Sequence, residues 1–276
     1  MKKAGRMGDC LVSLLALVLG MLIVFPLIYA LCGAFKTEAE FFSDHASLFP
    51  QSFLNTENFS AVWRRIPIPR MFLNSLAVAT LAAVVRVIFA ALAAYAVTFF
   101  DFKGKNALFI LILCTMMLPQ DTLIITNYRT VSRLGLVNTY LGMAILSFLG
   151  AGQMLMLRQT FRKTPAALRE SAMMDGCGDL RYMRRILLPL SRPVLSTLFV
   201  QSFVSVWNGY LWPLLVTNRE DMRTIQVGIT MLTTYESTNY HEVLAGSALS
   251  LIPAVILFVF LRKNMLRAMT AGAVVE

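Results

Sequence analysis

Charge is scarce in this chain. Only 14% of its 276 residues are Asp, Glu, Lys or Arg, where a soluble domain carries about a quarter. Histidine occurs only as His45 and His241, in separate predicted loops. That leaves no basis for a histidine metal site or a serine–histidine triad, so no metal and no catalytic residue are assigned. The four cysteines, Cys10, Cys32, Cys114 and Cys177, form no metal or redox spacing and are expected as free, packed thiols. Lys103-Gly-Lys105 lacks the G-x-x-x-x-G-K-[ST] frame, which occurs nowhere in the sequence, so ATP binding by a P-loop is excluded. Internal repeats and low-complexity tracts are also missing.

What is abundant is apolar surface, at 57% of residues. The long apolar runs predict an all-α integral membrane protein with six transmembrane helices, roughly 11–35, 72–100, 107–125, 139–157, 194–216 and 243–261. We treat 1–276 as a single transmembrane domain. The first run is too long for a signal-peptide core and carries no cleavage pattern. The net charge of +10 invites a nucleic-acid reading. The basic residues instead crowd a few short loops, twice as many on one side as on the other. Positive-inside bias explains this, with both termini cytoplasmic and no nucleic acid bound.

Within the apolar runs a few residues stand out. The second span is rich in alanine, which permits close helix approach in lipid. Arg86 sits near its middle, where a lone charge costs about 2.5–3.5 kcal/mol on insertion scales. It has two readings, an internal pair with Asp121 or a contact to an anionic solute. Pro119 interrupts the third span just before Gln120 and Asp121, and irregular backbone there requires neighbouring protein or a wet cavity. On the fifth span Thr197, Gln201, Ser205, Asn208 and Trp212 recur at helical spacing. Interhelical hydrogen bonding is one reading of that stripe. A wet path suited to polyols is the other, because amides and hydroxyls bond sugar hydroxyls and an indole stacks on a sugar face.

The most polar stretch is 158–193, a basic loop between spans four and five that cannot sit in lipid. Thr164 is a candidate cap with Pro165 at the first helical position, opening a helix to about Met174. Gly176 suits a left-handed stop. Asp179 is a candidate cap for a second helix, ended by Pro189. A merely basic loop explains the arginines but not the fixed offsets of Glu170, Gly176 and Pro189.

Those offsets carry a resemblance. Glu170-Ser171-Ala172, Gly176 and Ile186-Leu-Leu188-Pro189 resemble the E-A-A-x3-G-x9-I-x-L-P loop of ABC importer permeases, with Ser171 in place of the first alanine. Phe72-Leu-Asn-Ser75, Met117-Leu-Pro119, Trp207-Asn-Gly-Tyr-Leu-Trp-Pro213 and Thr270-Ala-Gly-Ala273 are similar to the carbohydrate-type branch. That branch includes the smaller permease subunit of maltose and glycerol-3-phosphate systems. The resemblance implies a bacterial inner-membrane permease for a sugar, with no cofactor of its own. Glu170, Ser171, Ala172, Asp175, Gly176, Ile186, Leu188 and Pro189 would form a coupling helix docked on an ATPase. The implied partners are a second permease subunit, two ATP-binding subunits that hydrolyse ATP, and an extracytoplasmic solute-binding protein, all in the lipid bilayer. A phosphorylated polyol is the alternative solute. An ion-coupled secondary transporter is the alternative class, with Asp121 its one candidate carboxylate and no repeated halves to support it.

Overall fold

The computed structural model describes residues 2–43, 47–234 and 237–270, with side chains described for 12–43, 47–119, 122–233 and 239–262. It is all-α apart from a two-residue ladder pairing Thr233–Thr234 with Ser237–Thr238. Three described helices are long and apolar enough to cross a bilayer, over Val12–Gly33, Ile68–Phe99 and Tyr240–Arg262. At 1.5 Å per residue the shortest extends roughly 33 Å, enough for the hydrocarbon core.

The remaining apolar stretches are broken. Lys105–Met117 is a shorter helix, stopped where Leu118 is extended ahead of Pro119. Tyr140–Ser147 and Ala151–Arg162 meet at 53°, and Asp179–Leu190 and Arg192–Trp207 at 82°. The stretch expected as one span over 194–216 is therefore two helices, because Arg192–Trp207 ends at Asn208 and Leu211–Val216 begins afresh. Gly209 follows the first helix end, as small residues often do.

The chain forms two compact units. One comprises Met1–Ile68 and Gly228–Ile252. Within it the Asn58 amide donates to the carbonyls of Ala34 and Lys36 at 2.9 and 2.8 Å. Arg65 pairs with the buried Glu242 at 2.8 Å. His241, expected in a loop, lies buried in the first turn of Tyr240–Thr270; His45 lies outside the described residues. The first helix buries none of its apolar window within the chain, as lipid contact requires.

The other unit comprises Pro69–Val227 and Pro253–Glu276. Ile68–Phe99 turns Ala79, Ala82, Ala83, Ala90, Ala91 and Ala94 inward, each almost fully buried, and leaves Leu81, Ile88, Phe89 and Leu92 outward. Small residues inside and large ones outside are what close packing in lipid selects. Around this helix sit two apolar clusters. One gathers Val78, Ala82, Val131, Met143 and Val216. The other joins Ala91, Tyr95, Leu157 and Phe161 to Ala172, Tyr182, Leu187 and Leu198.

Candidate functional site

Within the 158–193 stretch, Arg158–Arg162 ends the helix Ala151–Arg162, Arg192 and Pro193 open the helix Arg192–Trp207, and the part between folds as a helix, a glycine turn and a second helical segment. Pro165 occupies the cap position and Ala166–Met174 is the helix. Thr164 is thus not its cap, since proline at the junction already fixes the entry and has no N–H to satisfy. Gly176 adopts φ +73°. Its N–H bonds the Met173 carbonyl at 3.0 Å, and the Cys177 N–H bonds the Ala172 carbonyl at 2.9 Å. Those paired bonds make a Schellman close, which satisfies the last carbonyls and requires a left-handed residue at Gly176.

The second segment begins at Asp179 with Gly178 in the cap position, so the expected Asp179 cap is displaced by one residue. Proline does not stop it. The backbone widens to a π-turn over Met183–Leu187 and continues through Leu188–Leu190. Opening the hydrogen-bond frame just before Pro189 accommodates a residue that lacks an N–H. The chain turns 82° after Leu190 into Arg192–Trp207.

Asp179 is free for another task. Its Oδ1 accepts from the Tyr95 hydroxyl at 2.7 Å and from Arg169 Nη2 at 3.0 Å. The Tyr95 hydrogen bond, and next the Arg169 guanidinium, hold its carboxyl below the usual carboxylate range. The Arg169 guanidinium also lies 5.3 Å from the Phe99 ring centroid, within cation–π range. Ala172, Tyr182, Met183 and Leu187 are buried beside Phe161 and Leu157. Both helical pieces of the loop are thus fastened to the ends of Ile68–Phe99 and Ala151–Arg162.

Of the residues singled out in the loop, Glu170, Ser171, Asp175 and Gly176 are exposed, whereas Ala172 is buried and Ile186, Leu188 and Pro189 are half-buried. The outward set offers a carboxylate face, and Ala172 is small because the cluster beneath it is filled. The Tyr95–Asp179–Arg169 tie escaped sequence reasoning. No local pattern links Tyr95 to a carboxylate 84 positions away.

The apolar stretches distribute their polar residues unevenly. Gln201, Ser205 and Asn208 are exposed together on or at the end of Arg192–Trp207. Thr197 turns back to the Pro193 carbonyl of its own helix at 3.0 Å. Trp212 leaves the stripe, because the break at Asn208 reorients it. Its Nε1 donates to the Gly142 carbonyl at 3.1 Å beside the Val78 cluster. Arg86 donates from Nε to the Ser147 carbonyl, at the break between Tyr140–Ser147 and Ala151–Arg162. Asp121 falls in the 3-10 turn Gln120–Leu123, but its side chain, and with it the expected pair to Arg86, lies outside the described residues. So does the tail beyond Thr270. Among the described residues no group of His, Cys, Asp and Glu is placed to hold a metal.

Comparison with known proteins gives one consistent answer. The family model for binding-protein-dependent transport system inner membrane components matches residues 86–271. The chain is 34% identical to the sn-glycerol-3-phosphate transport system permease protein UgpE of Agrobacterium fabrum, over 90% of this chain and 92% of that protein. It is 31% identical to the arabinooligosaccharides transport system permease protein AraQ of Halalkalibacterium halodurans, over 91% of each. A chain of a bacterial ABC transporter involved in import of the acidic polysaccharide alginate shares the fold, with TM-score 0.81 at 20% identity, over 95% of this chain and 98% of that one.

Proposed function

The chain belongs to the family of binding-protein-dependent transport system inner membrane components, and from that premise we propose that it is one membrane-spanning permease subunit of an ATP-driven sugar importer. It forms half of the solute path with a second permease subunit. Two ATP-binding subunits engage the 158–193 loop from the cytoplasm, and a solute-binding protein delivers cargo from outside. The subunit binds no ATP or other cofactor itself and performs no hydrolysis. Both termini lie in the cytoplasm.

The observation that carries this reading is the construction of the loop. A coupling element must be stiff, accessible and anchored to the spans that move. The Schellman close at Gly176 supplies stiffness. Glu170, Ser171 and Asp175 face outward, and Glu170 offers a charge-assisted contact to a basic partner group. The Tyr95–Asp179–Arg169 bonds join the loop to a span end. Closure of the ATPase dimer would push this element as a rigid body, and the spans would rock between openings as packed helices do in shear motions.

The solute path runs along Gln201, Ser205 and Asn208, exposed polar groups on Arg192–Trp207 and at its end. Amide and hydroxyl groups there suit a sugar or an oligosaccharide. Glycerol phosphate is the second reading, favoured by the 34% identity to a glycerol-3-phosphate permease and by the cationic Arg86 near the middle of Ile68–Phe99.

Glu170→Lys and Gly176→Asp test the coupling role. Both variants are expected in the membrane at normal levels, with ATP hydrolysis by the assembled importer no longer driving uptake. Normal uptake in both would overturn it. Competition of labelled arabinooligosaccharide against labelled glycerol phosphate separates the two solute classes.

A further inference from the structure

Two cavities open between the same three helices, Ile68–Phe99, Lys105–Cys114 and Ala151–Arg162. The first, of about 560 Å3, lies where Ile68–Phe99 ends and is lined by Thr98, Asp101, Lys105, Asn106, Arg158 and Arg162. The second, of about 220 Å3, is lined by Phe89, Ala93, Ile112, Leu149 and Met154. On each helix the second set lies deeper in the apolar stretch. Passing from Thr98 to Ala93, Asn106 to Ile112 and Arg158 to Met154 moves about four to six residues, roughly 6–9 Å along the axes. Val97 and Ala93, and likewise Arg158 and Met154, stand four positions apart on one helix face, so the apolar cavity lies about one turn deeper along the same faces than the polar one.

The polar chamber is built for an anion. Lys105, Arg158 and Arg162 meet there with a single carboxylate, Asp101, already paired to Lys105 at 3.1 Å. Lys105 also donates to the Phe100 carbonyl at 2.7 Å, which fixes its ammonium. The Arg158 guanidinium lies 4.2 Å from the Phe109 ring centroid, and its buried Nε has no hydrogen-bond partner. Phe109 thus orients one arginine without neutralising it. The first turn of Lys105–Cys114 adds the positive end of a helix. The apolar chamber has no comparable charge and matches hydrocarbon.

We propose that this groove binds an anionic phospholipid, its phosphodiester against Arg158, Arg162 and Lys105 and one acyl chain in the apolar chamber. The paired chambers distinguish this ligand from free phosphate, which would use only the first. They also distinguish it from a zwitterionic lipid, whose choline or ethanolamine cation meets Arg158 and Arg162 with the one carboxylate, Asp101, already paired to Lys105.

The test is native mass spectrometry of the full chain in mild detergent, titrated with phosphatidylglycerol or phosphatidylcholine. Phosphatidylglycerol is expected to be retained and phosphatidylcholine displaced. Arg158→Gln with Arg162→Gln should weaken phosphatidylglycerol binding roughly tenfold or more, since each basic residue near an anionic headgroup contributes on the order of a severalfold change. Arg158→Lys with Arg162→Lys should restore most of it. Ala93→Phe, which fills the apolar chamber and leaves every cation in place, should also weaken it, and this decides the matter if the glutamine pair fails to fold. Arg129→Gln with Arg133→Gln makes the same charge change elsewhere and should have no effect. The proposal is overturned if that control weakens binding equally, if phosphatidylcholine binds as well, or if inorganic phosphate displaces the lipid while Ala93→Phe does nothing.

Discussion

The Tyr95 hydroxyl donates to Oδ1 of Asp179 at 2.7 Å, across 84 positions of sequence. Tyr95 stands one turn from the end of Ile68–Phe99, and Asp179 opens the segment that follows the Gly176 turn. Movement of the loop therefore pulls directly on a span end. Tyr95→Phe and Asp179→Ala should each leave the protein inserted and lower uptake severalfold, with ATP hydrolysis reduced less than uptake. The double variant should be little worse than Asp179→Ala alone, because that substitution already removes the Tyr95 bond together with the Arg169 one. Additive losses in parallel uptake and hydrolysis assays would show that the two residues act separately.

The tie has a defined response to acid. The Tyr95 hydrogen bond and the Arg169 guanidinium hold the Asp179 carboxyl below its ordinary value of 3.8. A depressed carboxylate contributes stability in full above that ordinary value and loses it as pH falls through the lower folded one. The melting difference between wild type and Asp179→Asn should stay flat from about pH 5 to about pH 8 and shrink only below about pH 4. A difference that collapses near neutrality would assign the effect to another group.

Gly176 is required by backbone alone. At φ +73° it is left-handed, and no atom lies within 4 Å of where a Cβ would stand. Gly176→Ala should therefore cost about 1 kcal/mol through conformation, and Gly176→Asn less. Hydrogen exchange at the amides of residues 176 and 177, which make the closing bonds, should be slowest in the wild type, faster in Gly176→Asn and fastest in Gly176→Ala. Equal protection in all three proteins would count against the turn as the source of stiffness.

Arg86 is a helix-break anchor by its contact to the Ser147 carbonyl. Arg86→Leu leaves that carbonyl unpaired and should lower stability by about 1–3 kcal/mol, read as a lower melting temperature in detergent. Arg86→Lys should recover part of it. If Arg86 instead meets an anionic solute, Arg86→Leu will raise the KM for glycerol phosphate while the melting temperature holds.

Asn208→Leu removes the exposed polar group that closes the Gln201–Ser205 face at the end of Arg192–Trp207. Assembly with the partner subunits should survive and uptake should change, in KM before maximal rate. Unaltered transport would leave the face a packing surface only.

Local chemistry made much of this legible. Apolar runs marked the three unbroken membrane-length helices, because each run must satisfy its own backbone inside lipid, but not the breaks within 107–125, 139–157 and 194–216. Alanines marked the inward face of Ile68–Phe99, and glycine at 176 marked a left-handed turn. Each signal depends on neighbours within a few positions. The loop motif sets Glu170 and Pro189 at family-like offsets, whereas the caps are Pro165 and Gly178, one position from the expected Thr164 and Asp179. Cap choice depends on which neighbouring residue is already fixed.

Composition, periodicity and spacing suffice for a helical membrane protein whose basic loop turns at a left-handed glycine. Contacts between distant segments set the rest: Asp179 serves Tyr95 and Arg169 rather than a helix end, Arg86 closes a break at Ser147, and Trp212 leaves the fifth-span stripe. Each of these depends on where distant segments meet, and packing of separate helices is what brings their donors and acceptors within bonding distance.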